Sequence, residues 1–180
     1  MKDSARNRLA ALDARLDDLL TQLEQYDREQ LNHRPAPDRW SALMVMHHLM
    51  LAERGSLAYL RKKLSYQPKL KPAGLGDRLR ALSLTVFLNL PFKFKAPALV
   101  AEEALPAETT LKDTAAEWWA IRKDLRAFLE ELPEEMWKKS IFKHALAGRM
   151  SLSGMLRFFE VHFDRHKKQI ERTLGDFRSS

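Results

Sequence analysis

The sequence contains no cysteine. Disulfides, zinc–thiolate sites and cysteine nucleophiles are therefore excluded, and any metal must take nitrogen and oxygen ligands. Glycine and proline are scarce, at six and eight in 180 residues, which excludes a loop-rich or low-complexity chain. Long apolar runs are missing as well. The longest, "LSLTVFLNLPF", is interrupted by Asn89 and Pro91 and falls short of the ~20 residues a spanning helix requires. The first twenty residues, "MKDSARNRLAALDARLDDLL", are charged from the start and lack the apolar stretch of a secretory signal. These absences predict a soluble, cytoplasmic protein with no membrane span. What is present suffices for a core: 45% of residues are hydrophobic, with four Trp and nine Phe. The length predicts one domain over residues 1–180.

The net charge of +7 is unevenly spread. Residues 58–96 carry nine basic groups and one acidic, and residues 137–180 carry ten and four. Residues 101–135 oppose them with four basic and ten acidic. A nucleic-acid protein concentrates its cations with aromatics on one stripe. Here the excess is divided and opposed, so solvated faces and internal pairing are expected, and nucleic acid is not expected as a partner.

Leu9, Leu12, Leu16, Leu19, Leu23 and Tyr26 recur at steps of three and four, which predicts an amphipathic helix over about residues 3–30. "NHRPAPDRWS" is a loop, and Ser41 or Asp38 can cap a second helix over 41–65. A shorter helix is expected over 77–90, followed by the irregular connection "PFKFKAPALVAEEALPAET". Thr110 or Thr109 opens a helix whose stripe runs from Leu111 through Trp118, Ile121 and Leu125 to Leu132, stopped by Pro133. "EEMWKKSIFKHALAGRM" reads as a turn-rich link. A last helix spans about 151–173, with Gly175 as its C-terminal cap. No segment alternates like a strand. The fold class is all-α: a four-helix bundle with an extra short helix and an irregular linker between its second and third long helices. The segment 84–100 of that linker is apolar and basic. A lid, a dimer contact and a surface-lying membrane segment are all open to it, with packing on the bundle or on a second subunit preferred.

Six histidines are present, and three fall on inward stripes. His162 and His166 continue the series Leu152, Met155, Phe159, which puts both on the buried side of the last helix, one turn apart. Residues so spaced have Cβ atoms ~5–6 Å apart, close enough for two imidazoles to share one ion. His48 follows Met44 by four and precedes Leu51 by three on the second helix. His47, rotated about 100° from it, is expected to point outward. An unpartnered core imidazole costs ~1–3 kcal/mol. A divalent metal shared between rings would remove that cost; so would hydrogen bonds between core histidines, and spacing alone leaves both open.

Two stretches carry a family resemblance. "DRWSALMVMHHLMLAE" places Trp40 and Ser41 ahead of His48 and Leu49, with Glu53 beyond. "HALAGRMSLSGMLRFFEVHFDRHKKQI" places His144 and Gly148 ahead of a helix bearing His162, Arg165, His166, Gln169 and Ile170. Together they resemble the two signatures of the DinB-like superfamily and bracket residues 38–171. Ala145 stands where that family usually has Pro. The resemblance implies an up-down-down-up four-helix bundle of the DinB-like kind. It implies a divalent metal, zinc or nickel, on His48, His162 and His166, and homodimers. It further implies chemistry with low-molecular-weight thiols: an S-transferase in which the metal held by three histidines activates a thiolate toward a small-molecule electrophile. A metal-dependent hydrolase, and a non-catalytic stress-related bundle that keeps metal only for stability, are the alternatives.

No general base stands out beside the three histidines. Glu53 is about 140° around the helix from His48, and a surface or capping salt bridge is expected there. Arg165 points away from His166 and could meet an anionic substrate, although a solvated position is expected. Gln169, one turn beyond the histidine pair, could line a pocket. His144 is expected to orient the turn before the last helix. His33 is assigned no role. The aromatics Trp118, Trp119, Phe158, Phe159 and Phe163 have core spacing.

Overall fold

The structure, a computed structural model, describes residues 2–90 and 104–178. Six α-helices are described: α1 (Lys2–Leu23), α2 (Arg28–Asn32), α3 (Ala42–Ser65), α4 (Leu75–Asn89), α5 (Leu111–Glu131) and α6 (Leu152–Arg178). A 3-10 turn (Glu134–Lys138) and an antiparallel hairpin of β1 (Phe142–His144) and β2 (Gly148–Met150) lie between α5 and α6. No helix among the described residues is long and apolar enough to cross a membrane. Most of the linker 84–100, from residue 91 onward, lies outside the described residues.

The long helices form a ring in which α1 and α3 each pack on both α5 and α6. Cross-helix contacts give their directions. Arg8 pairs with Glu160 and Arg15 with Asp164, so α1 and α6 run parallel. Arg6 pairs with Glu130 and Asp13 with Arg122, so α5 is antiparallel to α1. His47 meets Thr114 and Arg61 meets Asp124, so α3 runs with α5. The result is up-down-down-up. Leu9, Leu12, Leu16, Leu19 and Leu23 are all buried, as their spacing requires. Two apolar clusters fill the interior, one around Leu12, Leu60, Leu125 and Phe159, the other around Leu16, Met46, Trp118 and Phe163. By position along each helix, Asp13, Glu53, Arg122 and His162 fall between them.

Ser41 caps α3 by accepting from Met44 N at 3.2 Å, and Thr110 caps α5 by accepting from Asp113 N at 3.1 Å. Other boundaries differ from the sequence expectation. The first helix ends at Leu23, because Asp27 and Gln30 form a capping box that starts the separate helix α2. Helix α6 runs past Gly175, and Arg39 holds its last turn through Asp176 at 2.9 Å. The link before α6 is a hairpin, too short for alternation to register. Gly148 supplies the positive φ of +77° that its turn needs.

Candidate functional site

Local chemistry fixes where each histidine lies. His48 sits two turns into α3, whose start is set by the Ser41 cap. His162 and His166 sit in the middle of α6. Its first turn is capped by Ser151, whose Oγ accepts from Gly154 N at 3.2 Å. Gly154 lets that turn approach Met150, since a Cβ there would lie 3.1 Å from the methionine side chain. Helices α3 and α6 pack together and bring the three imidazoles into one cluster. Ring centroids are 5.0 Å apart for His48 and His162, 4.7 Å for His48 and His166, and 4.5 Å for His162 and His166. One nitrogen from each ring lies within 4.8 Å of the others.

His48 Nε2 and His162 Nε2 are 3.1 Å apart. Two nitrogens bound to one zinc at a tetrahedral angle stand about 3.3 Å apart, so the spacing suits a shared ion with little movement. His166 Nδ1 lies 2.9 Å from Gln169 Oε1. The amide oxygen can only accept, so Nδ1 carries the proton and the Nε2 lone pair remains available. The rings are 5%, 8% and 9% exposed for His48, His162 and His166, just beneath the surface. Burial, reinforced by the neighbouring imidazoles, drives the His162 pKa well below its ordinary value. Burial first, with His48, Arg165 and Arg172 behind it, pushes His166 down to about 3. At neutral pH His162 and His166 are uncharged, the form in which a histidine binds a cation. The donor set therefore fits a divalent ion.

Aromatic walls enclose the cluster. Phe158 stacks on His162 with centroids 4.9 Å apart and planes at 23°, and the Trp40 ring is 5.1 Å from His48. Neither residue's place at the site follows from the sequence. Period alone cannot separate a core aromatic from a pocket wall, although one of the histidine-bearing stretches begins at Trp40.

The remaining candidates fall elsewhere. Glu53 is buried at 3% exposure, and its carboxylate accepts from Arg122 Nε, from Arg122 Nη2 at 2.6 Å and from Trp118 Nε1 at 3.1 Å. The surface or capping salt bridge expected there is thus an interior one, because Glu53 faces α5. His47 is also buried rather than outward. Residues 42–50 of α3 are covered on every side, and His47 Nε2 donates to Thr114 Oγ1 at 3.1 Å, whose own proton goes to Thr110 O at 2.8 Å. Arg165 donates to the carbonyls of Leu88 at 2.6 Å and Leu90 at 2.8 Å, tying the end of α4 to α6 beside His166. His33 packs edge-on against Phe177 at 5.0 Å, away from the cluster.

His144 Nδ1 accepts from Leu146 N and Ala147 N, both at 3.2 Å, so the imidazole organises the hairpin turn. Burial lowers its pKa to about 4. Below pH 6.5 the unfolded chain binds more protons than the fold. Stability is therefore full above about pH 6.5 and drains as pH falls toward about 4 for His144 and about 3 for His166. The melting temperature of chelator-treated protein should drop by roughly 5 °C or more over the upper part of that window. His144→Gln should flatten the profile, as measured by circular dichroism.

The profile of the DinB superfamily matches residues 8–170. A solved structure of YfiT from Bacillus subtilis, described as a probable metal-dependent hydrolase with an unusual four-helix bundle topology, superposes with a TM-score of 0.61. The match covers 96% of this chain and 87% of that one at 17% identity, so it speaks to the fold. No curated protein matches the chain.

Proposed function

This chain belongs to the DinB superfamily, and on that premise we propose that it is a divalent-metal-dependent enzyme, with the ion held by His48, His162 and His166. The observation that carries this reading is the convergence of three buried imidazoles from two helices on a volume one ion can fill. A divalent ion on three uncharged ligands keeps its full charge and an open position, and when bound it supplies the Lewis acidity that activates a coordinated thiol or water. Zinc and nickel both suit imidazole.

Within that class we propose a low-molecular-weight-thiol S-transferase. Among the described residues, no carboxylate joins the cluster, and the nearby Glu53 is held by Arg122 and Trp118. Hydrolysis ordinarily calls for a positioned base, whereas a thiol is acidic enough to lose its proton without one. Arg165 and Arg172 act electrostatically on His166, which favours an anionic thiol cosubstrate. Phe158 and Trp40 would limit water around the reacting sulfur. Gln169 orients His166. Hydrolysis is the second reading, supported by the description of YfiT.

Elemental analysis of untagged protein should find about one divalent ion per chain, and a panel of thiols with alkyl electrophiles should give thioether product. A metal-free chain sinks the proposal. Metal with ester or amide cleavage but no conjugation selects the hydrolase. A cobalt-substituted chain whose spectrum ignores added thiols would mark a closed, structural site. Gln169→Leu should weaken metal affinity about 10–100-fold through loss of the His166 tautomer, as read by competition with a coloured chelator.

A further inference from the structure

Helix α4 is apolar on two opposite sides. Leu84 and Leu88 are buried, and Asp77 between α4 and the bundle bonds Ser140 and Gly74 N. On the outer side Leu75, Leu79, Leu82, Val86 and Leu90 repeat at steps of four, three, four and four, and they are 37–75% exposed. A helix apolar all round is normally covered on both sides. The hairpin that packs on α4 adds a further exposed apolar side chain, Leu146, 61% exposed at its tip.

The rim of this surface is cationic. Arg78, exposed, flanks the stripe on α4 itself. Arg80 reaches the hairpin and donates to Arg149 O at 2.7 Å, and Lys143 is paired across from Arg149 in the strand register. On the other flank, Arg157 Nε donates to Thr85 Oγ1 at 3.1 Å. The acidic groups of α6 nearest in sequence, Glu160 and Asp164, are turned the other way and engage Arg8 and Arg15 of α1. The one carboxylate of α4, Asp77, is buried. Asp77 stands 3.7 Å from Arg80 on the bundle side of α4, and Arg78, Lys143, Arg149 and Arg157 complete a positive rim around the apolar centre.

That combination selects an occupant. A second copy docked about a two-fold axis would set one arginine rim against another, a like-charge contact that costs free energy. An anionic bilayer offers acyl chains to the aliphatic stripe and phosphate oxygens to the guanidinium groups. At 15 residues α4 is about 22 Å long, so it can lie in the headgroup plane while the bundle stays in water. We propose that the outer face of α4, with the hairpin tip, docks this protein reversibly on anionic lipid surfaces.

The full-length protein tests this by cosedimentation with vesicles of phosphatidylcholine alone or with phosphatidylglycerol added. Pelleting is expected with the anionic vesicles only, weakening as salt rises from about 0.05 to about 0.5 M. Leu79→Gln/Val86→Gln changes exposed positions, so its circular dichroism should match wild type while its partition coefficient falls roughly tenfold. Arg78→Glu/Arg157→Glu should remove the salt-sensitive binding. The proposal is overturned if wild type fails to pellet, if it pellets equally with neutral vesicles, or if the leucine–valine double variant binds unchanged. It is also overturned if sedimentation velocity shows a dimer that this double variant splits and no vesicle binding, since a second copy then covers the stripe.

Discussion

His162→Ala is expected to yield a folded protein that carries almost no metal and no activity. The reason lies in how few groups would hold the proposed ion. Among the described residues only three imidazoles converge, and His162 Nε2 lies 3.1 Å from His48 Nε2. With one ligand gone, the other two cannot outcompete water and buffer for a labile divalent ion. The rate should drop at least about a thousandfold, the several kcal/mol of charge stabilisation a catalytic metal provides. The fold should persist, because a desolvated polar ring is exchanged for a small apolar one in a helix with other buried anchors such as Phe159 and Phe163. Elemental analysis, far-ultraviolet circular dichroism and the conjugation assay on the same preparation decide it. Full metal content in His162→Ala would show that the cluster is not the binding site.

Arg122→Ala should have the largest effect on stability, for a different reason. Its side chain is 2% exposed, and the guanidinium bonds both oxygens of Glu53 while Nη1 donates to Asp13 Oδ1 at 3.1 Å. Burial alone would lower its pKa, yet Glu53 and Asp13 outweigh burial and hold it above its ordinary value. Truncation leaves Glu53 buried and uncompensated, a loss of about 3–5 kcal/mol. That is a large share of the ~5–15 kcal/mol that keeps a domain folded. Glu53→Met/Arg122→Met should recover most of the loss, since no buried charge is stranded. Urea denaturation of the wild type, the single variant and the double variant provides the comparison. If the single and double variants lose equally, the ion pair is not what the position contributes.

The two residues show how far the sequence could be read. His162 belongs to an α6 stripe that spacing alone reveals, so its inward face was legible. The partners of Glu53 are contributed by α5, some seventy residues on, so its interior pairing has no local signal. His47 was misplaced for the same kind of reason. A period of 3.6 tells which residues share a side of a helix, but it does not tell how many sides are covered, and α3 is enclosed over residues 42–50. The short helix α2 and the hairpin were missed because their signals occupy only a few residues. Their sequence marks are Asp27 followed three residues later by Gln30, and a glycine at 148 in the turn.

By itself the sequence determined the chemistry on offer: no thiolate ligand, histidines on the inner stripes of two helices, and cap candidates at Ser41 or Asp38 and at Thr110 or Thr109. These are short-range properties, set by side-chain type and by the pitch of one helix. Tertiary structure alone decided that His48 meets His162 and His166, that Glu53 is bound to Arg122 instead of joining them, and that α4 keeps an apolar side outward. Each of those depends on the relative direction and depth of helices distant in the chain. Packing of the whole bundle sets that relation, and no local pattern encodes it.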